Sequence, residues 1–216
     1  MTTSDLTKGN PTKLIFFFAI PYLIGNLFQQ FYNMADTVIV GRILGMNALA
    51  AVGATGSIVW LTTGSIQGLT TGFAAITAQC FGANDLSGIK KSFGISIVIS
   101  AIFTAFLMWI CIAFAMPLLE LLQTPEEIIK DSYSYIMWIF IGLFATTIFN
   151  LLSNMIRALG DSRTPLVFLI IACIVNIILD IVFIYGLKMG PSGAGLATAI
   201  AQVVSDILCV IYIAVK

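Results

Sequence analysis

The sequence predicts an all-α integral membrane protein, a bundle of six transmembrane helices, and three observations predict it. Only 9% of the 216 residues are charged, ten acidic and ten basic, against roughly 25% in soluble domains. Apolar residues make up 59% of the chain and the mean hydropathy is +1.04. The apolar residues also gather into runs of at least the roughly 20 residues a bilayer core demands, separated by short polar or Gly/Pro breaks. This composition excludes a soluble enzyme and a disordered tail. A net charge of zero leaves no basic stripe for a phosphate backbone and no polybasic cluster for anionic lipid, so the expected partner is the bilayer itself and not nucleic acid.

The first span is expected over about 14–40. Pro21 lies within it, removes the hydrogen bond to the Phe17 carbonyl and predicts a bend of this helix. Beyond the bend, at about 100° per residue, Asn26, Gln29, Gln30, Asn33, Asp36 and Thr37 fall within an arc of about 120°, which gives the helix one wet face. The second span, about 48–79, repeats Gly64, Gly68 and Gly72 every fourth residue, which predicts a flat face for close helix packing. Gly82 is expected to close it in the left-handed region. The third span is placed at about 93–119 and the fourth at about 128–158. Thr124, Pro125 and Glu127 read as a capping box with proline in the first turn of the fourth, and Gly160 as its left-handed end. The fifth span, about 165–187, starts after Thr164 and carries Asn176 and Asp180 four residues apart, on one face. The sixth, about 194–215, presents Thr198, Gln202 and Ser205 by the same spacing and carries Asp206 well inside.

If the N-terminus is inside, one set of loops and ends holds Lys8, Lys13, Lys90, Lys91, Arg157, Arg163 and Lys216, and the other Arg42, Lys130 and Lys188. Seven against three predicts a multi-pass protein of the plasma (inner) membrane with the N-terminus and the Lys216 end cytoplasmic. Lys8 and Lys13 precede a long span without a small-residue cleavage site, so this stretch is expected to remain as the first helix. Cys80, Cys111, Cys173 and Cys209 stand more than thirty residues apart within or beside apolar runs and read as packing thiols, not as a disulfide or metal set.

Charged side chains inside a span cost about 2.5–3.5 kcal/mol each on insertion scales. Asp36, Asp180 and Asp206 therefore each ask for a partner or a wet cavity. Asp180 lies fifteen residues beyond Pro165, about 22 Å along the fifth helix, and Thr198 only a turn or so from the outer end of the sixth. Asp36, twenty-two residues beyond Leu14, also falls in the outer half. Three helices thus bring carboxylate, amide and hydroxyl oxygens to one layer. Two acids in a pocket of low dielectric favour capture of a positive ion. The oxygen-only set suits a proton or Na+ at Asp36 and Asp180 and argues against zinc or copper. Two blander readings stay open: a shared proton that makes insertion tolerable, and amides that bond neighbouring helices. No enzyme and no cofactor beyond such an ion is expected. Histidine is absent, which removes every imidazole mechanism, and neither a nucleophile elbow nor a Walker-type glycine loop occurs.

Several stretches together resemble the multidrug and toxic compound extrusion (MATE) transporters. They are Pro21 with the run from Gln29 through Asp36 and Thr37, Gly82-Ala-Asn-Asp85, and Arg157-Ala-Leu-Gly-Asp-Ser-Arg-Thr-Pro165. Asn176, Asp180 and the segment Gly193 to Gln202 complete the set, so the resemblance spans nearly the whole chain. It implies that Asp36, Asn176, Asp180 and Thr198 form a cation site, that Pro21 is the bend of the first helix, and that Na+ or H+ entry is coupled to export of a bulky, often cationic, drug-like organic substrate. Gln30, Tyr32, Asn33, Tyr135, Asn154 and Gln202 are weaker candidates for the substrate cleft or for the surroundings of the cation. Asp206 is outside this pattern. The resemblance also implies two six-helix lobes, of which residues 1–216 would be the amino-terminal one. The second would come from a missing C-terminal half, a split-gene partner or a second copy. Alternating access requires two such bodies. The alternative, from another functional class, is a non-transporting membrane scaffold or assembly subunit.

Overall fold

A computed structural model describes residues 11–215. Lys8 and Lys216, used above for orientation, lie outside them. Among the described residues every regular element is helical: α1 (Pro11–Leu44), α2 (Met46–Gly82), α3 (Leu86–Ala113), α4 (Ala115–Leu121), α5 (Glu126–Ile141), α6 (Leu143–Ala158), α7 (Arg163–Asp180), continued by a π-helical segment (Ile181–Gly186), and α8 (Pro191–Val215). Five spans are long and apolar enough to cross a membrane, and α5 with α6 forms a sixth that is bent by 44°. The sides of these spans away from the bundle carry large apolar side chains, Trp60, Phe106, Trp109 and Ile211 among them, that stand exposed. Water would penalise such a surface and lipid would not.

The ends and breaks depart from expectation for identifiable reasons. A single residue joins α1 to α2: Gly45, at φ +89°, where only glycine is unstrained. The third predicted span is two helices. α3 stops at Ala113, the residue four before Pro117, whose ring leaves that carbonyl without a donor and crowds it. The fourth predicted span is also two, parted at Gly142. A Cβ there would lie 3.1 Å from that of Ala199 on α8. The Gly142 carbonyl accepts from both the backbone N–H and the hydroxyl of Thr146, a back-bond that favours bending.

Caps differ as well. α5 starts one residue after Pro125, and the Thr124 hydroxyl is buried with no partner among the described residues, so the expected capping box does not form. Gly82 remains helical, and the left-handed residue is Asn84; Gly160, at φ +89°, is left-handed as expected. α7 is capped by a residue absent from the expected signal. The Asp161 carboxylate accepts from the backbone N–H groups of Arg163 (3.1 Å) and Thr164 (3.0 Å). Its second oxygen takes the hydroxyls of Thr164 and of Tyr212 from α8, each at 2.6 Å.

The expected packing face of Gly64, Gly68 and Gly72 is not one within this chain. All three are exposed, and a Cβ added at any of them would meet nothing within 4 Å. The packed seam of α2 is instead Thr55, Ile58, Thr62, Ile66, Thr70 and Thr77, buried a third of a turn away. Each of these threonines donates to a carbonyl of its own helix, so the seam buries no unmet hydroxyl.

Candidate functional site

Asp36 projects from α1 towards the interior, 6% exposed, and Asp180 ends the regular part of α7 with no exposed surface. Their carboxyl groups lie within hydrogen-bonding reach of one another. Asn176, one turn earlier on α7, is also fully buried and points its amide nitrogen at the Thr198 hydroxyl of α8, 3.4 Å away. The four residues expected to form a cation site therefore share one pocket, built from α1, α7 and α8. Two tyrosines complete it. Tyr32, one turn before Asp36, sits beside Thr198 and both acids, and Tyr135 from α5 faces the same two carboxylates.

The helix packing explains why these groups meet. At Gly195 a Cβ would fall 2.7 Å from the Tyr135 carbonyl oxygen and 2.9 Å from the Trp138 Cβ, so only glycine lets α8 seat closely on α5. That contact sets both Thr198 and Tyr135 against the pocket. Val40, Ala48, Val52, Ile139, Ile184 and Ala194 close the surroundings with apolar bulk. The π-helical segment begins directly after Asp180. Such single-turn widenings recur at functional sites, where they release backbone groups from the regular ladder.

Several polar groups of the pocket are left unpaired. Asp36 Oδ1, both Asp180 oxygens, Asn176 Oδ1 and the Tyr32 hydroxyl are buried without a hydrogen-bond partner among the described residues. No cluster of three or more Cys, Asp or Glu side chains that could hold a metal occurs among those residues. Two carboxylates with neutral oxygens suit a singly charged hard ion or a shared proton. Buried acceptors left in this state are costly.

The wet face expected on α1 divides in two. Tyr32 and Asp36 turn inward, whereas Asn26, Gln30, Asn33 and Thr37 are exposed about a third of a turn round the same helix, and Gln29 is half-buried between them. Gln30 and Asn33 are therefore placed for an external contact, and Tyr32 and Tyr135 as walls of the inner pocket. Gln202 is buried one turn from Thr198, and its Oε1 has no partner among the described residues. Asn154 belongs elsewhere. It donates to the Thr70 hydroxyl (3.1 Å) and accepts from Arg157 (3.0 Å), whose guanidinium lies over the Tyr22 ring. α1 runs unbroken past Pro21 as a single helix. Asp206 is buried, apart from the aspartate pair. The four cysteines are free, two buried and two partly so.

Comparison with known proteins agrees over the whole length. A family model described as MatE matches residues 21–182. The chain is 31% identical over 220 residues to the probable multidrug resistance protein YpnP of Bacillus subtilis (strain 168), covering 99% of this chain and 48% of that one. Solved structures of MATE in the bent and in the straight conformation superpose with a TM-score of 0.88 each, at 27% and 26% identity, over 98% of this chain and 48% of theirs. The chain spans about half the length of the curated relatives it matches.

Proposed function

This chain belongs to the MatE family, a family of multi-pass membrane proteins, and on that premise we propose that it is one lobe of a secondary active multidrug efflux transporter. The lobe takes part in export of bulky organic compounds, often cationic, by antiport with Na+ or H+. One observation carries this reading: acceptor oxygens of Asp36, Asn176 and Asp180, drawn from two helices, are buried together and left unpaired among the described residues, and a positive ion satisfies them together. The ion sits between Asp36 and Asp180, with Asn176 and Thr198 completing its cage.

The exposed amides of Asn26, Gln30 and Asn33 border the cleft through which the organic substrate passes. The second body that closes this cleft is a six-helix partner, consistent with relatives of about twice the length. It covers the exposed sides of α1 and α2, where polar groups and glycines stand together. α1 can bend at Pro21, where a carbonyl has no donor, and a MATE relative has been solved in a bent and in a straight conformation. Both ends of the chain face the cytoplasm, the side on which Lys13, Lys90, Lys91 and Arg163 collect.

Cation binding to the purified chain in detergent tests the reading. Calorimetric titration with Na+, alongside proton uptake followed with a pH indicator, should give saturable binding of one ion or the other, and Asp36→Asn and Asp180→Asn should each abolish it. Saturable Na+ binding assigns sodium as the coupling ion; proton uptake indifferent to Na+ assigns the proton. Undiminished binding in both variants would remove the site and leave the scaffold reading in its place.

A further inference from the structure

A groove of about 660 Å³ lies where the bent pair α5 and α6 meets α8, within the roughly 300–1,000 Å³ of small-molecule sites. No residue of α1, α2, α3 or α7 lines it, so it is separate from the aspartate pair. Its walls are apolar, with Ile141, Phe144, Val203, Ile207 and Val210 each largely exposed along its mouth. The 44° bend at Gly142 shapes one wall. Among its fourteen lining residues stands one acid, Asp206. That side chain is 8% exposed, and its Oδ1 has no hydrogen-bond partner among the described residues.

We propose that this groove is a lateral binding site for a lipophilic protonated amine that arrives through the bilayer. The amine sets its N–H groups on Asp206 and lays its hydrocarbon body along α8 and the bent pair. The chemistry selects this class. A neutral hydrocarbon or an acyl chain would fill the walls yet leave a buried carboxylate oxygen without a donor, and an anion would be repelled. A quaternary ammonium carries the charge and lacks the donor. Depth excludes a phospholipid headgroup: Asp206 lies fifteen residues beyond Pro191, where α8 begins, about 22 Å along the helix, and the described helix runs a further nine residues past it. A small amphiphile with a single amine can sink that far.

The test uses the chain in lipid nanodiscs with Trp60 and Trp109 replaced by Phe, so that Trp138 in the groove wall reports. Dodecylamine should change Trp138 emission saturably and at least tenfold more tightly than dodecanol, with dodecanoate inert. Asp206→Asn should reduce amine binding to the level of the alcohol. Val203→Phe, which fills the groove and keeps the acid, should weaken amine and alcohol alike, and it decides the matter if the Asn variant does not fold. Equal binding of amine and alcohol, or binding indifferent to both substitutions, would overturn the proposal. No transport is measured, so failure here leaves the reading of Asp36 and Asp180 standing.

Discussion

Asp161 shows how much one loop residue can hold. Burial pushes its carboxyl up, but hydrogen bonds from Thr164, Tyr212 and the backbone of Thr164 and Arg163 outweigh that and hold it below the usual carboxylate range. The resulting stability is present above the unfolded-state value near 4 and is lost as pH falls through the lower folded-state value. Tyr212→Phe should therefore destabilise the detergent-solubilised chain by about 1.5–3 kcal/mol at neutral pH, and the difference from the parent should vanish in thermal melts taken well below pH 4. The aspartate pair predicts the opposite sign. Among the described residues no group other than the neighbouring Asp36 carboxyl is in reach to pair with the Asp180 oxygens, so Asp180→Asn, measured without Na+, should melt no lower than the parent and gain up to about 1–3 kcal/mol. A clear loss of stability there would mean the carboxylate holds the fold and not an ion. At this scale the sequence was informative about the pocket and silent about the cap. Asp36 and Asp180 stand out because a charge amid apolar residues is visible in any reading, whereas the partner of Asp161 is fifty-one positions away and no local pattern joins them.

Helices show where periodicity stops being enough. Each expected apolar run falls on one of the five long helices or on the bent pair, since hydropathy reports on the whole bilayer thickness at once. It missed both interior breaks. One follows from Pro117, whose effect at Ala113 was readable, and the other from the meeting of Gly142 with Ala199, which only the folded chain brings about. The π-helical turn after Asp180 has no signal in composition. The glycine repeat of α2 shows a subtler loss: spacing gives a common face but not what that face meets. Gly195 is the glycine that packing requires. Gly195→Val should lower the stability of the chain by at least the 1–3 kcal/mol of an overpacked site and weaken cation binding, because α8 must lift from α5 and carry Thr198 with it. Ala at the exposed Gly68 should do neither; thermal melts with parallel ion titration would separate the two.

For the molecule as a whole, the open question is what covers α1 and α2. Asn33 and Thr37 are exposed along α1, and Gln67 and Thr71 further from the Gly45 joint along the adjoining α2, an arrangement that lipid would penalise. A cysteine-free chain carrying Gly68→Cys should crosslink efficiently in membranes, either to a second copy or to a companion six-helix protein, while Ile102→Cys on the apolar side of α3 should not. Equal crosslinking from both sides would remove the second body from the picture.

α1 is also a partition only one helix thick. An ion lodged against Asp36 and an organic cation resting on Gln30 and Asn33 would stand on adjoining faces of it, about a sixth to a third of a turn apart and about 10 Å from one another. At an effective dielectric near 20 their repulsion amounts to about 1.7 kcal/mol, a more than tenfold penalty on joint residence. Each guest would thus loosen the other without the two meeting and without the partition having to move.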